Sequence, residues 1–226
     1  MNTVPIEVYL SESFGLDEKH ASIKPIGSGH INTTMLLSTS KRSLVVQKLN
    51  TVVFPKPQLL VDNARLIEQH LSKKQQAGEF NLAIIRHVAT TQNDYLVNND
   101  DDTWRALEFI GGSYSEDVVN TASQAQTAAN AFGQFAQALQ DFDANKLHAV
   151  IPNFHNLAMR AEVFKQVVST DPHKRLANCQ DEVDFCLSQL SLIDELNAIE
   201  GKLPIRVCHN DTKINNMLFC LDSNNA

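Results

Sequence analysis

His209-Asn210-Asp211-Thr212-Lys213-Ile214-Asn215-Asn216 decides how this chain is read. An acidic residue and an asparagine stand five positions apart, with a lysine between them. The flanks are apolar, Ile205-Arg206-Val207-Cys208 before and Met217-Leu218-Phe219 after. A loop between two short strands holds both side chains on one side at that separation. Phosphoryl transfer from ATP needs that pairing, a carboxylate beside the accepting hydroxyl and an oxygen ligand for Mg²⁺ nearby. In this reading Asp211 accepts the proton, Lys213 balances phosphate charge, and Asn216 offers its amide oxygen, a hard ligand, to the metal. Asparagine and aspartate also favour turns for their own reasons, so the segment needs support from the rest of the chain.

Working outward, Gly27-Ser28-Gly29-His30-Ile31-Asn32 joins two strand candidates near the start. Glycines there let backbone amides approach phosphates. Residues 31–37 and then Leu44 to Leu49 read as strands, the second rich in β-branched side chains. Lys48 on that strand is the expected phosphate-binding cation, with Val46 on its face as a roof for adenine. Gln47 competes for the inward position, because a slip of one residue swaps faces. Phe80 to Val88 is a third strand candidate, Tyr95 to Val97 another, and Thr103 to Ile110 the last. Leu59, Asn63, Leu66, Ile67, His70 and Leu71 form a helical stripe, closed by Gly78. Glu68 on that helix is the expected partner of Lys48. Glu108, Phe109 and Ile110 run into Gly111-Gly112, where extended backbone suits the edge of an adenine.

The second half is helical. Val118, Ala122, Ala125, Ala129, Phe132, Phe135, Leu139 and Phe142 recur at three or four between Glu116 and Ala144. Similar stripes run from Phe154 to Ser169 and from Asp181 to Ile199. The expected fold is therefore α+β and protein-kinase-like. A mostly β nucleotide-binding lobe covers residues 1–111, and a helical lobe carrying the 209–216 loop covers residues 112–226.

Composition narrows the function. With 226 residues, 43% hydrophobic and 20% charged, the chain reads as globular. A net charge of −7 argues against an electrostatic grip on nucleic acid or an anionic membrane. No apolar run is long enough to span a bilayer. The four cysteines, Cys179, Cys186, Cys208 and Cys220, lack zinc-site spacing and suit a reducing, cytoplasmic setting. His87 lies in an apolar strand candidate, and the histidines read as surface or satisfied core residues.

HNDTKINN looks like the catalytic loop of the aminoglycoside-phosphotransferase-like kinases, most of which begin it His-Gly-Asp. HNDTK-x-NN is narrower. Together with GSGHIN, VVQKLN followed by Val53-Phe54, and IPNFHN at residues 151–156, it is similar to the N-acetylhexosamine 1-kinases. The matches extend from Gly27 to Phe219. The resemblance implies ATP and Mg²⁺ as cofactors and phosphorylation of the anomeric hydroxyl of an amino sugar. It makes Asp211 the base, Asn216 a metal ligand, and the turn from Gly27 to Asn32 the phosphate cover, with His30 near the sugar. It leaves aminoglycoside, choline or homoserine as alternative acceptors. It also implies a further acidic metal ligand beyond the next hairpin. The sequence ends Asp222-Ser223-Asn224-Asn225-Ala226, and Asp222 falls in the turn. The expectation is thus a chain cut short at its C-terminus, whose catalysis is in question and which could act as a nucleotide-binding fragment.

Overall fold

The computed structural model describes residues 4–16, 20–27, 29 and 31–221. Two compact units emerge: Met1–Val150 with Arg206–Ala226, and Ile151–Ile205. The division expected at Gly111-Gly112 is not where the units part. Residues on both sides of the glycines share the first unit: Leu71 and Phe80 pack with Ala138 and Leu139, and Asn63 Nδ2 donates to the His148 carbonyl at 2.8 Å.

An antiparallel sheet dominates the first unit. Its strands are β1 (Ser22–Pro25), β2 (Thr33–Ser38), β3 (Ser43–Leu49), β4 (His87–Val88), β5 (Val97–Asn99) and β6 (Asp102–Glu108). The order is β1-β2-β3-β6-β4, with β5 also on β6. Hairpin connections explain the neighbours β1-β2, β2-β3 and β5-β6. Asp100 turns the last of these at φ 52°, in the left-handed region that aspartate tolerates. Of the segment 80–88 only His87 and Val88 enter the sheet. Phe80 is buried elsewhere, with Leu71, Ala138 and Leu139.

A helix not anticipated from the sequence, α1 (Ile6–Ser13), covers one face of this sheet. Leu10, Phe14 and Leu16 bury against Leu37, Leu44, Val46, Val88, Trp104 and Ala106. The register makes that one face. Leu37 stands opposite Leu44, Val46 opposite Ala106, and Ala106 opposite Val88. Alternation sends Thr34, Gln47, Arg105 and His87 to the other face. There α2 (Pro57–Gln76) lies, with proline in its first turn, where its missing N–H costs nothing.

β7 (Ser113–Tyr114) pairs with β8 (Phe219–Cys220), and Tyr114 and Phe219 stack at 5.7 Å. Between them in sequence comes α3 (Ala122–Ala138). It starts later than the apolar stripe, because Thr121 caps it. The Thr121 hydroxyl accepts from the Gln124 amide at 3.1 Å, and Gln124 accepts in turn from the Asn120 amide at 2.9 Å.

The second unit holds α4 (Leu157–Thr170), α5 (Gln180–Ser188) and α6 (Leu192–Ile199). Asn156 caps α4 by accepting from the Met159 amide at 2.9 Å. The stripe read as one helix from Asp181 to Ile199 is two, broken at a turn through residues 189–191.

Candidate active site

The loop from His209 to Asn216 belongs to the first unit. Its start is pinned by packing. The His209 ring sits edge-on to Phe132 at 5.2 Å and Phe135 at 5.7 Å, both on α3. Just upstream, Arg206 donates to the Gln140 carbonyl. The chain then turns sharply at Asn210, whose φ is 65°. Few side chains accept this conformation, and asparagine is among them. The same need accounts for glycine at this place in the pattern His-Gly-Asp. The turn lets the Asp211 amide donate to His209 Nδ1 at 3.3 Å.

A short 3₁₀ turn, Ile214–Asn216, then brings the chain back. Asn216 Nδ2 donates to Asp211 Oδ2 at 2.7 Å and to the Asp211 carbonyl at 2.9 Å. Lys213 Nζ lies 3.5 Å from the same carboxylate oxygen, with both side chains about half exposed, so this pair adds little to stability. The three residues singled out in the loop thus share one locus. Asn215 leans the other way, its Nδ2 reaching Asp117 Oδ1 at 3.5 Å, and its own Oδ1 is buried without a partner.

The donors suit a hard divalent cation. With its nitrogen committed to Asp211, the Asn216 amide leaves its oxygen unengaged among the described residues, beside a carboxylate. No cluster of three or more His, Cys, Asp or Glu side chains is present among the described residues.

Gly29 of the glycine turn neighbours Thr34, whose side chain lies on the sheet face that α2 occupies. Gly27 takes φ 73°, and a Cβ placed on Gly29 would sit 3.9 Å from Thr34 Oγ1. Ser28 and His30 lie outside the described residues, as does Asp222. Asn32 acts as a brace, its Oδ1 accepting from the Asn50 amide at 3.0 Å, so that side chain ties the turn to the end of β3.

Lys48 and Glu68 do not meet. Lys48 stands opposite Trp104, on the face that α1 covers, and pairs with Asp102 at 3.4 Å. Val46 is fully buried on the same face and roofs nothing open. The physical reason is α1: it needs the apolar set Leu44 and Val46, and period two carries Lys48 along with them. Glu68, 8% exposed at its side chain, instead receives Arg65 Nη1 at 2.8 Å on one oxygen. Its other oxygen receives the His87 amide and His87 Nδ1, each at 3.1 Å.

Gln47 occupies the position that Lys48 was expected to hold. Its Nε2 donates to Thr34 Oγ1 at 3.0 Å, and its Oε1 accepts from Arg105 Nε at 2.9 Å. Arg105 Nη1 then reaches His87 Nε2 at 3.3 Å. Burial holds the Arg105 guanidinium down at about 10, still protonated near neutrality. Burial first, and then the Arg105 charge, push His87 below the usual imidazole range. Neutral His87 with its proton on Nδ1 satisfies both neighbours. Arg105 and His87 escaped the sequence reading as site residues. An arginine alternating with Trp104 and Ala106 was the available signal.

At the end of β6, the Glu108 amide donates to the Arg86 carbonyl at 2.8 Å. The Glu108 side chain faces Arg42 at 3.7 Å. Phe109 is exposed, and the Ile110 carbonyl accepts from Ser113 Oγ at 2.6 Å. Glu108 and Phe109, two of the three residues expected to meet adenine, are thus both open to solvent.

Among known structures the chain is similar to a spectinomycin phosphotransferase solved with ADP and spectinomycin. The TM-score is 0.51 and the identity 13%, over 96% of this chain and 65% of that one. It is also similar to an aminoglycoside phosphotransferase from Alicyclobacillus acidocaldarius subsp. acidocaldarius, with a TM-score of 0.43 and 20% identity, over 77% of this chain and 46% of that one. The first likeness shows the kinase-like aminoglycoside phosphotransferase fold. The chain spans just under two thirds of the spectinomycin enzyme's length. No helix among the described residues is long and apolar enough to cross a membrane. The model of the phosphotransferase enzyme family matches residues 22–225, so the chain belongs to that family.

Proposed function

We propose that this chain is the ATP-dependent phosphotransferase part of a small-molecule kinase, with an N-acetylhexosamine as acceptor and a sugar 1-phosphate as product. The observation that carries the reading is the Asp211 carboxylate held 2.7 Å from the Asn216 amide on a loop turned at Asn210. Asp211 accepts the proton of the acceptor hydroxyl as that oxygen bonds to the terminal phosphorus of ATP. The bond from phosphorus to the bridging oxygen breaks, and ADP leaves with that oxygen. Lys213 offsets charge on the phosphoryl oxygens. Asn216 would hold Mg²⁺ through its amide oxygen. When bound, the ion supplies charge neutralisation on the phosphates. The hexosamine choice rests on the pattern HNDTK-x-NN with GSGHIN.

The test is transfer of labelled phosphate from ATP to free N-acetylhexosamines, aminoglycosides, choline and homoserine, with wild type and Asp211→Asn. Labelled hexosamine 1-phosphate from wild type is expected. Asp211→Asn should lower turnover by about 10²–10⁴ with ATP affinity nearly unchanged. Turnover of aminoglycosides alone would end the hexosamine reading. Full activity of Asp211→Asn would remove Asp211 as the base. Tight ATP binding with no turnover of any acceptor would favour a nucleotide-binding chain without catalysis.

A further inference from the structure

We propose that Arg105, held by Gln47 and by the His87–Glu68 pair, is the cation that grips the phosphates of the nucleotide in this chain. The proposal rests on the ATP-dependent reading above and deepens it.

Charge balance around the α2 face of the sheet comes first. Both Glu68 oxygens are committed, one to Arg65 and one to His87. The acceptors on Arg105 are Gln47 Oε1 and His87 Nε2, both neutral. No carboxylate lies within ion-pair reach of Arg105 among the described residues. Burial lowers its pKa to about 10, which records the cost of desolvating the charge without removing it. A desolvated cation without a counter-ion is stabilised by any anion that reaches it. Of its five N–H donors two are used, which leaves three for a ligand.

Position comes second. Thr34, Gln47 and Arg105 form a row across β2, β3 and β6, since Thr34 stands opposite Gln47 and Gln47 opposite Arg105. A Cβ on Gly29 of the glycine turn would sit 3.9 Å from Thr34 Oγ1, at one end of that row. The turn and the guanidinium therefore serve one face, while Lys48 serves the other. A planar fork with donors to spare suits phosphate oxygens better than a single ammonium does.

Support for the fork comes third. His87 donates through Nδ1 to Glu68, which fixes the tautomer and leaves Nε2 free to accept from Arg105. A helix carboxylate thus steadies the strand cation through an imidazole rather than by direct contact. His87 and Gln47 act as positioning residues.

The experiment is calorimetric titration of the full chain with Mg-ATP and, separately, with adenosine, which lacks phosphates. Arg105→Met is expected to weaken ATP about 10- to 100-fold and to leave adenosine within about threefold. Arg105→Lys should fall between wild type and Arg105→Met. Lys48→Met should keep ATP affinity within about threefold. Melting curves establish that each variant folds. If Arg105→Met does not fold, Arg105→Lys carries the comparison. Equal losses for ATP and adenosine in a folded Arg105 variant, or no loss for ATP, would overturn the proposal. ATP binding retained by Arg105→Met removes Arg105 alone and leaves the phosphotransferase reading standing. A wild-type chain that binds no ATP removes both.

Discussion

Replacing Glu68 by glutamine probes whether the buried network on the α2 face is built as described. Glu68 and His87 side chains are 8% and 6% exposed, and Arg65 is 23% exposed. Glutamine keeps the shape but has one acceptor oxygen where glutamate has two. If that oxygen faces His87, the NH₂ group confronts Arg65 donors. If it faces Arg65, the NH₂ group confronts the amide and Nδ1–H of His87. Either way at least one buried donor loses its acceptor, and the charge-assisted bond of 2.8 Å is lost or weakened to one with a neutral amide oxygen. The guanidinium of Arg65 retains the Tyr95 ring at 4.2 Å, which softens the loss. The expected cost is about 2–4 kcal/mol. Lys48→Met removes an ion pair whose side chains are 40% and 47% exposed, so its cost should stay under about 1 kcal/mol. Urea unfolding followed by circular dichroism separates them. With a slope of about 2 kcal/mol per molar, Glu68→Gln moves the midpoint down by about 1–2 M, and Lys48→Met by less than about 0.5 M. A Glu68→Gln midpoint within about 0.3 M of wild type, at unchanged slope, would refute the network.

Acidification should destabilise the fold through His87. Its folded pKa lies below the ordinary 6.5, so the unfolded chain binds more protons as pH falls from about 6.5 towards the folded value, and stability drops by at most about 1.4 kcal/mol per pH unit in that window. Arg65, Glu68, Tyr95 and Arg105 surround the ring; urea midpoints from pH 7.5 to 5.5 should slope downward in wild type and flatten in His87→Gln. Asp141, whose carboxyl the Lys74 hydrogen bond holds below the usual carboxylate range, enters only at lower pH. At the loop, Asn210→Gly should leave the melting temperature nearly unchanged, whereas Asn210→Ala should cost about 1 kcal/mol or 2–4 °C in a melt of this size, because alanine lacks the short polar side chain that lets asparagine hold φ 65°. Equal melting temperatures for the two variants would show that the turn does not hold its conformation.

What could be read from sequence was whatever a few neighbouring residues determine. The helical stripe at Phe132, Phe135 and Leu139 is local, and α3 contains or adjoins all three. The strand at Leu44 to Leu49 is also local, and β3 covers it. Which face of that strand turns inward is not local. It depends on α1, whose eight residues carry too short a stripe to separate from a loop, and whose Leu10 shares a core with Leu37 and Leu44, 27 and 34 residues downstream. Without α1 the alternation Val45-Val46-Gln47-Lys48 has two equally good faces, and charge favoured the wrong one. Arg105 was missed for the same reason. In the strand Trp-Arg-Ala-Leu the alternation sets Arg105 apart from Trp104 and Ala106, but only α1 decides that the arginine face is the one toward the helix bearing Glu68.

The loop carries both kinds of information, and the difference between them explains why its chemistry was legible while its setting was not. Asp211 and Asn216 meet because one 3₁₀ turn brings the chain back after the left-handed Asn210 has turned it into the loop, and each of those steps is written in adjacent residues. The supports are distant. His209 rests on α3 some 75 residues earlier, and β8 finds β7 more than 100 residues back. Closing such long segments costs entropy that grows only slowly with length. Stacking of Tyr114 on Phe219 and the edge contacts on His209 can therefore hold the loop to the sheet unit although half the chain lies between. Dividing the chain at Gly111-Gly112 separates other partners: Leu71 and Phe80 from Ala138 and Leu139, with which they share a core, and Asn63 from His148. β7, Asp117, α3 and the loop all lie beyond those glycines, and the segment from Ile151 to Ile205, which separates α3 from the loop in sequence, forms a compact unit of its own.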